Sequence, residues 1–523
     1  MSAGTAALRP SKEFCGLAEI EGDVKRSADV VVIGSGAGGA PLAEGLAGEG
    51  YKVIIVEEGV RLDRETDFNL NPVEAFKRMY RDAGQTMTLG VPFVALPMGK
   101  ALGGSTIVNS GTSLRILRPI LKKWHTSYGL AEIDEEELNL IYSHLEEYLF
   151  VKRADPEVAG PAARIFLAGA EKLGLSSGWL PRNAKECEGF GTCPFGCPSG
   201  AKQSMDVSFI PDAVKSGAEI YTCCRADKVK NSNGKATGIT GHFVDPSTGK
   251  KTGRKIDIDA RVVVLSAGAI YTPFFLLRQG LANSSGQVGK NLGIRPYVHS
   301  ISLMDEPLNP PKGIPSASYV DEFKHEGVQL HGGTMPPEIH ALALEVAGNQ
   351  HAALMARYPY MALFAGIVCD NDSWGRVVNL PRSAHSPTIF YMLKEADLRK
   401  SQMASVLMAE IWFAAGARKV FTPFAGHREI SNPRELKALE RSRVKASDIY
   451  AMSAYHPLGT CRMGGDPEWS VVRHTGETWD VENLYICDAS VLPTSPGVNL
   501  QLTVMAMSIR CAGFIDERLS STK

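Results

Sequence analysis

The chain has 523 residues, 44% of them hydrophobic, with 56 basic and 57 acidic side chains and a net charge of −1. That length exceeds one ordinary domain and carries enough apolar material for a sizeable core. The balanced charge leaves no electrostatic case for nucleic acid or a polyanionic surface, and no apolar run reaches the roughly 18 residues that a membrane span needs. Residues 1–27 mix charged and small side chains, with no apolar h-region and no twin arginine. They are expected to form an N-terminal arm of a cytoplasmic protein. Most of the ten cysteines are scattered (Cys15, Cys369, Cys461, Cys487, Cys511), as free thiols in a reducing compartment are.

Residues 29–33, Asp-Val-Val-Val-Ile, read as a short buried parallel strand. Gly34-Ser35-Gly36-Ala37-Gly38-Gly39 follows and matches G-x-G-x-x-G. An alanine- and leucine-rich helix then runs to Gly48, and a second strand over 53–56 ends in Glu57. Strand, turn, helix, strand and acid in that order predict dinucleotide binding. Gly34 allows the sharp turn, Gly36 lets a pyrophosphate approach the backbone, and Gly39 lets helix and strand pack closely. The helix N-terminus faces the phosphates. Glu57 is positioned to accept a ribose hydroxyl, which favours FAD or NAD over NADP.

Residues 61–95 look irregular. Gly99 to Asn109 then forms a second glycine-rich turn that offers backbone N–H groups to an anion, with Ser105 and Asn109 adding side-chain hydrogen bonds. Residues 133–147 read as a solvated amphipathic helix. Strands are expected over 218–245 and 254–265, with turns at Asn233-Gly234 and Thr248-Gly249. A buried strand over 262–268 enters a tight turn, and Thr272-Pro273 starts a helix through Arg278. From about 300 to 449 the composition shifts. Alternation over 317–320, 362–368, 377–380 and 386–393 predicts an antiparallel sheet, and a helix is expected over 399–415. Residues 482–488 return to a buried strand, and a closing helix spans 503–517. Late in the chain, Tyr455-His456-Pro457-Leu458-Gly459-Thr460 sets a single imidazole on a stiff segment, because proline fixes φ and glycine permits a tight turn.

The loop over 185–201 holds Cys187, Cys193 and Cys197 spaced C-x5-C-x3-C among glycines and prolines. Three readings are open. The thiolates can curl around an iron–sulfide cage, for which three ligands suit [3Fe–4S] better than [4Fe–4S]. They can be structural, as packed thiols or a Cys187–Cys193 disulfide. They can bind zinc, although a tetrahedral site wants a fourth ligand. Adjacent Cys223-Cys224 reads as core.

Four separated segments agree in order: 34–57, 103–109, Ala267-Gly268 with Thr272-Pro273, and His456 with the 488–499 tail. Together they resemble the glucose–methanol–choline (GMC) oxidoreductase family along nearly the whole chain. The cysteine spacing resembles the iron–sulfur catalytic subunits of FAD-dependent glucose and related sugar dehydrogenases. A similar segment occurs in long-chain alcohol oxidase-like members, where no cluster is implied.

The resemblance implies an α/β fold (α+β overall), with a Rossmann-like FAD-binding domain and a substrate domain built on an antiparallel sheet. Residues 28–122, 205–299 and 450–523 then make up a discontinuous FAD-binding domain, 123–204 a helical and cysteine-rich insertion, and 300–449 the substrate-binding domain. By position, Gly34, Gly36, Gly39 and Glu57 hold the ADP half of FAD. Gly103, Gly104, Ser105 and Asn109 lie along the pyrophosphate and ring, and Asp488 and Ala489 meet the phosphate and ribityl region. His456 matches the catalytic histidine and Asn499 its partner, which is histidine or asparagine across the family. Leu500 departs from the usual proline, and Arg295 before Pro296 stands where histidine is common.

An imidazole titrating near neutrality can take a hydroxyl proton, while Asn499 holds the same oxygen and points the C–H at flavin N5. The implied activity is alcohol oxidation, with electrons passing to an external protein or quinone, through a [3Fe–4S] relay on Cys187, Cys193 and Cys197 where one exists. An oxidase reducing O₂ and a redox-silent hydroxynitrile lyase are the alternatives. The substrate is a small alcohol: a sugar, an aminocyclitol glycoside, or an aliphatic or terpenoid alcohol.

Overall fold

In the computed structural model the described residues are 14–69, 71–308, 312–344, 346–381 and 386–521; of the expected arm, 1–13 lie outside that set. The β-branched run at the start of the chain forms β1 (Val24–Ile33), followed by α1 (Gly39–Gly48) and β2 (Val53–Val56). Val30, Val31 and Val32 are fully buried, because β1 is central. It pairs in parallel with β2 on one side and with the long β3 (Lys251–Leu265) on the other. The sheet has eight strands. Beyond β2 lie Glu219–Tyr221 and Phe14–Cys15, and beyond β3 lies the antiparallel hairpin Cys224–Ser232 and Lys235–Val244. Asn233 and Gly234 both take positive φ (53° and 77°), as a two-residue hairpin turn requires. The late strand β7 (Leu484–Ile486) joins the end of β3 in parallel.

The helix after β3 departs from expectation. α2 (Gly268–Gln279) starts four residues before Thr272, so Pro273 sits inside it and not in its first turn. The carbonyl that Pro273 cannot serve belongs to Ala269, and Thr460 Oγ donates to it at 2.5 Å. A residue from the His456 segment therefore repairs the helix interior.

A second eight-stranded sheet is centred on β4 (Pro296–Leu303), β5 (Val328–Gly332) and β6 (Met361–Val368), with β6 between the other two and antiparallel to both. Its margins include Ser177–Trp179, from the stretch between the glycine turns and the cysteine loop, and Ser453–Ala454, which pairs with the start of β4. Strands Trp374–Val378 and Thr388–Met392 do not join it. With Leu89–Val91 they form a separate three-stranded sheet, because alternation encodes a buried face and not the identity of the partner strand.

The two faces of the second sheet differ. One packs on α3 (Glu395–Ala414), where Phe364 of β6 lies between Phe166 and Trp412, with ring centroids 4.1 and 5.1 Å away. The other carries Tyr297 and His299 of β4 and Gln329 and His331 of β5. These align through Ile367 and Ala365 of β6. The closing helix α4 (Gln501–Ser520) packs on α1, and Ser508 Oγ donates to the Gly38 carbonyl. Among the described residues no helix is long and apolar enough to cross a membrane.

Removing the fully buried Trp412 indole leaves a cavity that Phe166 and Phe364 cannot fill. Trp412→Ala is expected to cost about 3–5 kcal/mol, lowering the guanidinium midpoint measured by circular dichroism, whereas Trp374→Ala on the exposed sheet should leave it nearly unmoved. Equal shifts for the two would reject this account of the second core.

Candidate active site

The two glycine-rich turns meet backbone to backbone. Ser35 Oγ donates to Glu57 Oε2 (2.7 Å) and accepts from Gly103 N–H (2.9 Å). The Glu57 carboxylate also accepts from Ser35 N–H (3.1 Å) and Gly59 N–H (2.7 Å). Burial pushes the Glu57 carboxyl above its ordinary range, against the pull of these donors. Gly39 is forced by packing: a Cβ there would stand 1.9 Å from the Gly34 carbonyl oxygen. Gly36 differs, since its Cβ would meet nothing nearer than Gly104 Cα at 3.8 Å, while a Cβ on Gly104 would press to 2.9 Å from Gly36 Cα. Ser105 Oγ accepts from Gly99 N–H (3.0 Å), and Asn109 Nδ2 donates to Gln501 Oε1 (2.6 Å) at the start of α4. Leu500 takes helical φ and ψ (−89° and −9°) at the mouth of α4, so the missing proline leaves the helix entry intact.

Asp488 binds the turn after β3. Its Oδ2 accepts from Gly268 N–H (2.8 Å) and Thr272 Oγ (2.5 Å), and its Oδ1 accepts from Ser490 N–H (2.8 Å). Burial raises its proton affinity. Ala489 opens the following single turn, and its carbonyl accepts from Gly459 N–H (3.2 Å). Leu458 N–H donates to Gly293 O (2.9 Å) and Cys461 N–H to Ser490 O (2.9 Å). The segment after His456 is thus anchored along its length.

His456 and Asn499 come together: Asn499 Nδ2 lies 3.2 Å from His456 Nε2, and Tyr297 Oη lies 3.5 Å from Nδ1. The imidazole is 9% exposed. Burial, reinforced by Arg295 and His331, holds its pKa well below 6.5, so it is neutral at pH 7. The neighbouring imidazoles behave alike, burial bringing His299 down to about 4 and His331 to about 3. Several polar atoms around this pair have no hydrogen-bond partner: Asn499 Oδ1, His299 Nδ1, His331 Nε2, and Nε and Nη1 of Arg295. Buried polar groups are rarely left so, and here they gather beside His456 and Asn499. Tyr297, His299, Gln329 and His331 had no motif to announce them. Arg295 showed itself in the sequence only as a departure.

Among the described residues no group of three or more His, Cys, Asp or Glu side chains is arranged to hold a metal ion, and none of the ten cysteines forms a disulfide. The [3Fe–4S] and zinc readings of Cys187, Cys193 and Cys197 find no support in this arrangement, and the Cys187–Cys193 disulfide does not form. A buried guanidinium lies against two of these thiols. Arg182 Nη1 reaches Cys187 Sγ at 3.7 Å and Nη2 reaches Cys193 Sγ at 3.5 Å, while Cys197 Sγ accepts from Lys202 N–H at 3.3 Å. Burial pushes the Cys193 thiol up, against the pull of Arg182. Arg182 and Lys202 then reach out of the loop. Arg182 Nε donates to Ser110 O (2.9 Å), and Lys202 Nζ donates to Ile107 O (2.6 Å) and Asn109 O (2.7 Å). The loop buttresses the second glycine-rich turn.

Profiles of GMC oxidoreductases match residues 76–297 and 373–508. An uncharacterised GMC-type oxidoreductase of Mycobacterium tuberculosis is 33% identical over 97% of this chain and 78% of its own length. A long-chain-alcohol oxidase of Arabidopsis thaliana is 28% identical over 94% of this chain and 68% of its own. Among solved structures, pyridoxine 4-oxidase from Mesorbium loti superposes with a TM-score of 0.71 over 94% of this chain and 99% of that one, at 18% identity, a likeness of fold. With both profiles matched in order and the tuberculosis relative aligned almost end to end, the chain belongs to the GMC oxidoreductase family.

Proposed function

We propose that this protein oxidises an alcohol to a carbonyl compound with FAD as its prosthetic group. The observation that carries the reading is the buried, neutral His456 held 3.2 Å from Asn499. FAD fits the residues present. Gly36 leaves open the space that a Cβ would fill beside Gly104, where a pyrophosphate can rest on backbone N–H groups. Glu57 Oε1, which accepts only from Gly59 N–H, keeps lone-pair capacity for a ribose hydroxyl, whereas Oε2 is taken by Ser35 N–H and Oγ. In this reading Gly34, Gly36, Gly39 and Glu57 hold the ADP half, Gly103, Gly104, Ser105 and Asn109 follow the pyrophosphate and ring, and Asp488 and Ala489 border the ribityl chain. When bound, FAD supplies the hydride acceptor.

The chain's own groups do the rest. The substrate hydroxyl replaces the hydrogen bond between Asn499 and His456 and comes within reach of both. His456 Nε2 takes its proton, and Asn499 Nδ2 donates to the oxygen as negative charge grows there. Asn499 Oδ1, left without a protein partner, is free for a second polar group of the substrate. The carbinol loses one proton to His456 and one hydride to the cofactor, which balances the oxidation. The long-chain-alcohol oxidase among the relatives supports an alcohol as reductant.

Two experiments test this. Gly36→Ala should fold as the wild type does by circular dichroism yet lose bound flavin in its absorption spectrum, because the new methyl fills the cradle. Gly39→Ala should instead lose the fold. A yellow Gly36→Ala protein would sink the cradle assignment.

His456→Ala should keep its flavin but slow anaerobic flavin bleaching by an alcohol about 10²–10⁴-fold. Because burial and Arg295 both oppose the imidazolium, the active neutral form persists above a depressed pKa. In the wild type kcat/KM should therefore stay flat from pH 8 down to 6.5 and fall only below that. Unchanged bleaching in His456→Ala, or an acid limb above pH 6.5, would reject His456 as the base. Bleaching separates oxidation from a redox-silent lyase, and peroxide formed in air separates an oxidase from a dehydrogenase.

A further inference from the structure

Arg295 stands at the mouth of β4 with its side chain fully buried. Its backbone takes φ +49°, a left-handed conformation that an arginine adopts only when its surroundings hold it there. Asp370 does the holding. Its carboxylate accepts from Ile294 N–H (2.8 Å), Arg295 N–H (3.1 Å) and Tyr391 Oη (3.0 Å), so it is spent on the peptide and leaves the guanidinium alone. The guanidinium meets Gln329 Oε1 at 3.5 Å and Gly497 O at 3.4 Å, both long and both from Nη2. Nε and Nη1 have no partner. The ionisable groups whose charge it influences are Tyr297, His331 and His456, and burial keeps all three uncharged at neutral pH. Among the described residues no carboxylate forms an ion pair with this buried guanidinium, a state that proteins do not sustain without compensation.

The location says which anion is missing. Gln329 and His331 belong to the polar face of the second sheet, and Gly497 is two residues from Asn499. The glycine turns and Glu57 lie on the other sheet. Arg295 therefore faces the end of the site where the alcohol is handled. We propose that Arg295 binds a carboxylate carried by the substrate a few bonds from the reacting carbinol, so that the preferred alcohols are hydroxy acids. The guanidinium supplies Nε and Nη1, and His331 Nε2, when it carries the ring proton, supplies a further donor. This rests on the alcohol-oxidising reading above.

The test uses the flavin-loaded protein and matched pairs of equal chain length: ω-hydroxycarboxylates of two to six carbons against the corresponding diols and monohydric alcohols. The wild type should show a higher kcat/KM for the hydroxy acid of the best pair. Arg295→Gln should cut that selectivity ratio by about 10–100-fold, the loss of a charge-assisted hydrogen bond, and Arg295→Lys should restore part of it. Butanoate, which cannot be oxidised at a carbinol, should perturb the wild-type flavin spectrum saturably and compete with the hydroxy acid. Butanamide should do neither, and Arg295→Gln should abolish the butanoate response. Flavin bleached by neutral alcohols with no hydroxy-acid preference and no butanoate response overturns the inference while leaving alcohol oxidation standing. The reverse, butanoate bound through Arg295 with no alcohol of either kind bleaching the flavin, overturns alcohol oxidation and leaves the anion site. Should Arg295→Gln fail to fold, the contrast between butanoate and butanamide on the wild type decides.

Discussion

The hydroxyl of Ser35 is the tie on which the rest of the structure depends. It gives its proton to Glu57 at the end of β2 and receives one from Gly103 in a turn 68 residues away. That pair of hydrogen bonds joins the first βαβ unit to the second glycine turn beside the close approach of Gly36 and Gly104. Carboxylate and hydroxyl are both buried, so neither has water as an alternative partner, and breaking the tie would leave Glu57 with only the Ser35 and Gly59 N–H donors and Gly103 N–H with none. From this junction the chain builds outward in two directions. One runs through Gly38, whose carbonyl accepts from Ser508 and so fixes α4 against α1. The other runs through Asn109 to Gln501, which fixes the same helix at its start. Asn499 lies just before that start.

The cysteine loop is part of this scaffold. Its sulfurs surround a guanidinium, and its two cations are directed at the carbonyls of residues 107–110. A lysine with Nζ bonded to two carbonyls and no carboxylate is costly to bury. It persists because Ile107 O and Asn109 O would otherwise be unpaired at the end of a turn, and burial accordingly lowers the Lys202 proton affinity. Thiols suit this environment better than hydroxyls: they pack as small apolar groups, as Cys187 does beside Val158 and Trp179, and still accept weakly from Arg182.

What was legible in the sequence was encoded within a dozen residues or so. The β-branched run of β1, the glycine turn, the Asn233-Gly234 hairpin and the long helices α3 and α4 each carry their own periodicity or turn chemistry, and the α/β class followed from their order. Pro273 misled because a proline normally ends a helical hydrogen-bond ladder, and the hydroxyl that repairs this one comes from Thr460, far along the chain. Strands Trp374–Val378 and Thr388–Met392 misled because a two-residue period is silent about partners. The polar face beside His456 was hidden for the same reason. Tyr297 and Gln329 are 32 positions apart and share a row only through their common neighbour Ile367. His456 and Asn499 could be named from their segments, but not the distance between them or the neutral state of the imidazole, since both depend on what covers them.

Arg295 and His456 constrain each other. A cation beside an imidazole makes the imidazolium costly, which keeps the base unprotonated but also weak, because a low pKa means little appetite for a proton. Under the proposed reading, a substrate carboxylate on Arg295 changes this balance, which burial of the imidazole sets first and the guanidinium second. It neutralises the guanidinium, removes the repulsion felt at His456, and raises that nitrogen's affinity for the hydroxyl proton of the same molecule. An alcohol without the charge meets the weaker base. Selectivity and basicity then arise from one buried charge, and the left-handed backbone at Arg295, held by Asp370, is what keeps that charge at the oxidising end of the pocket.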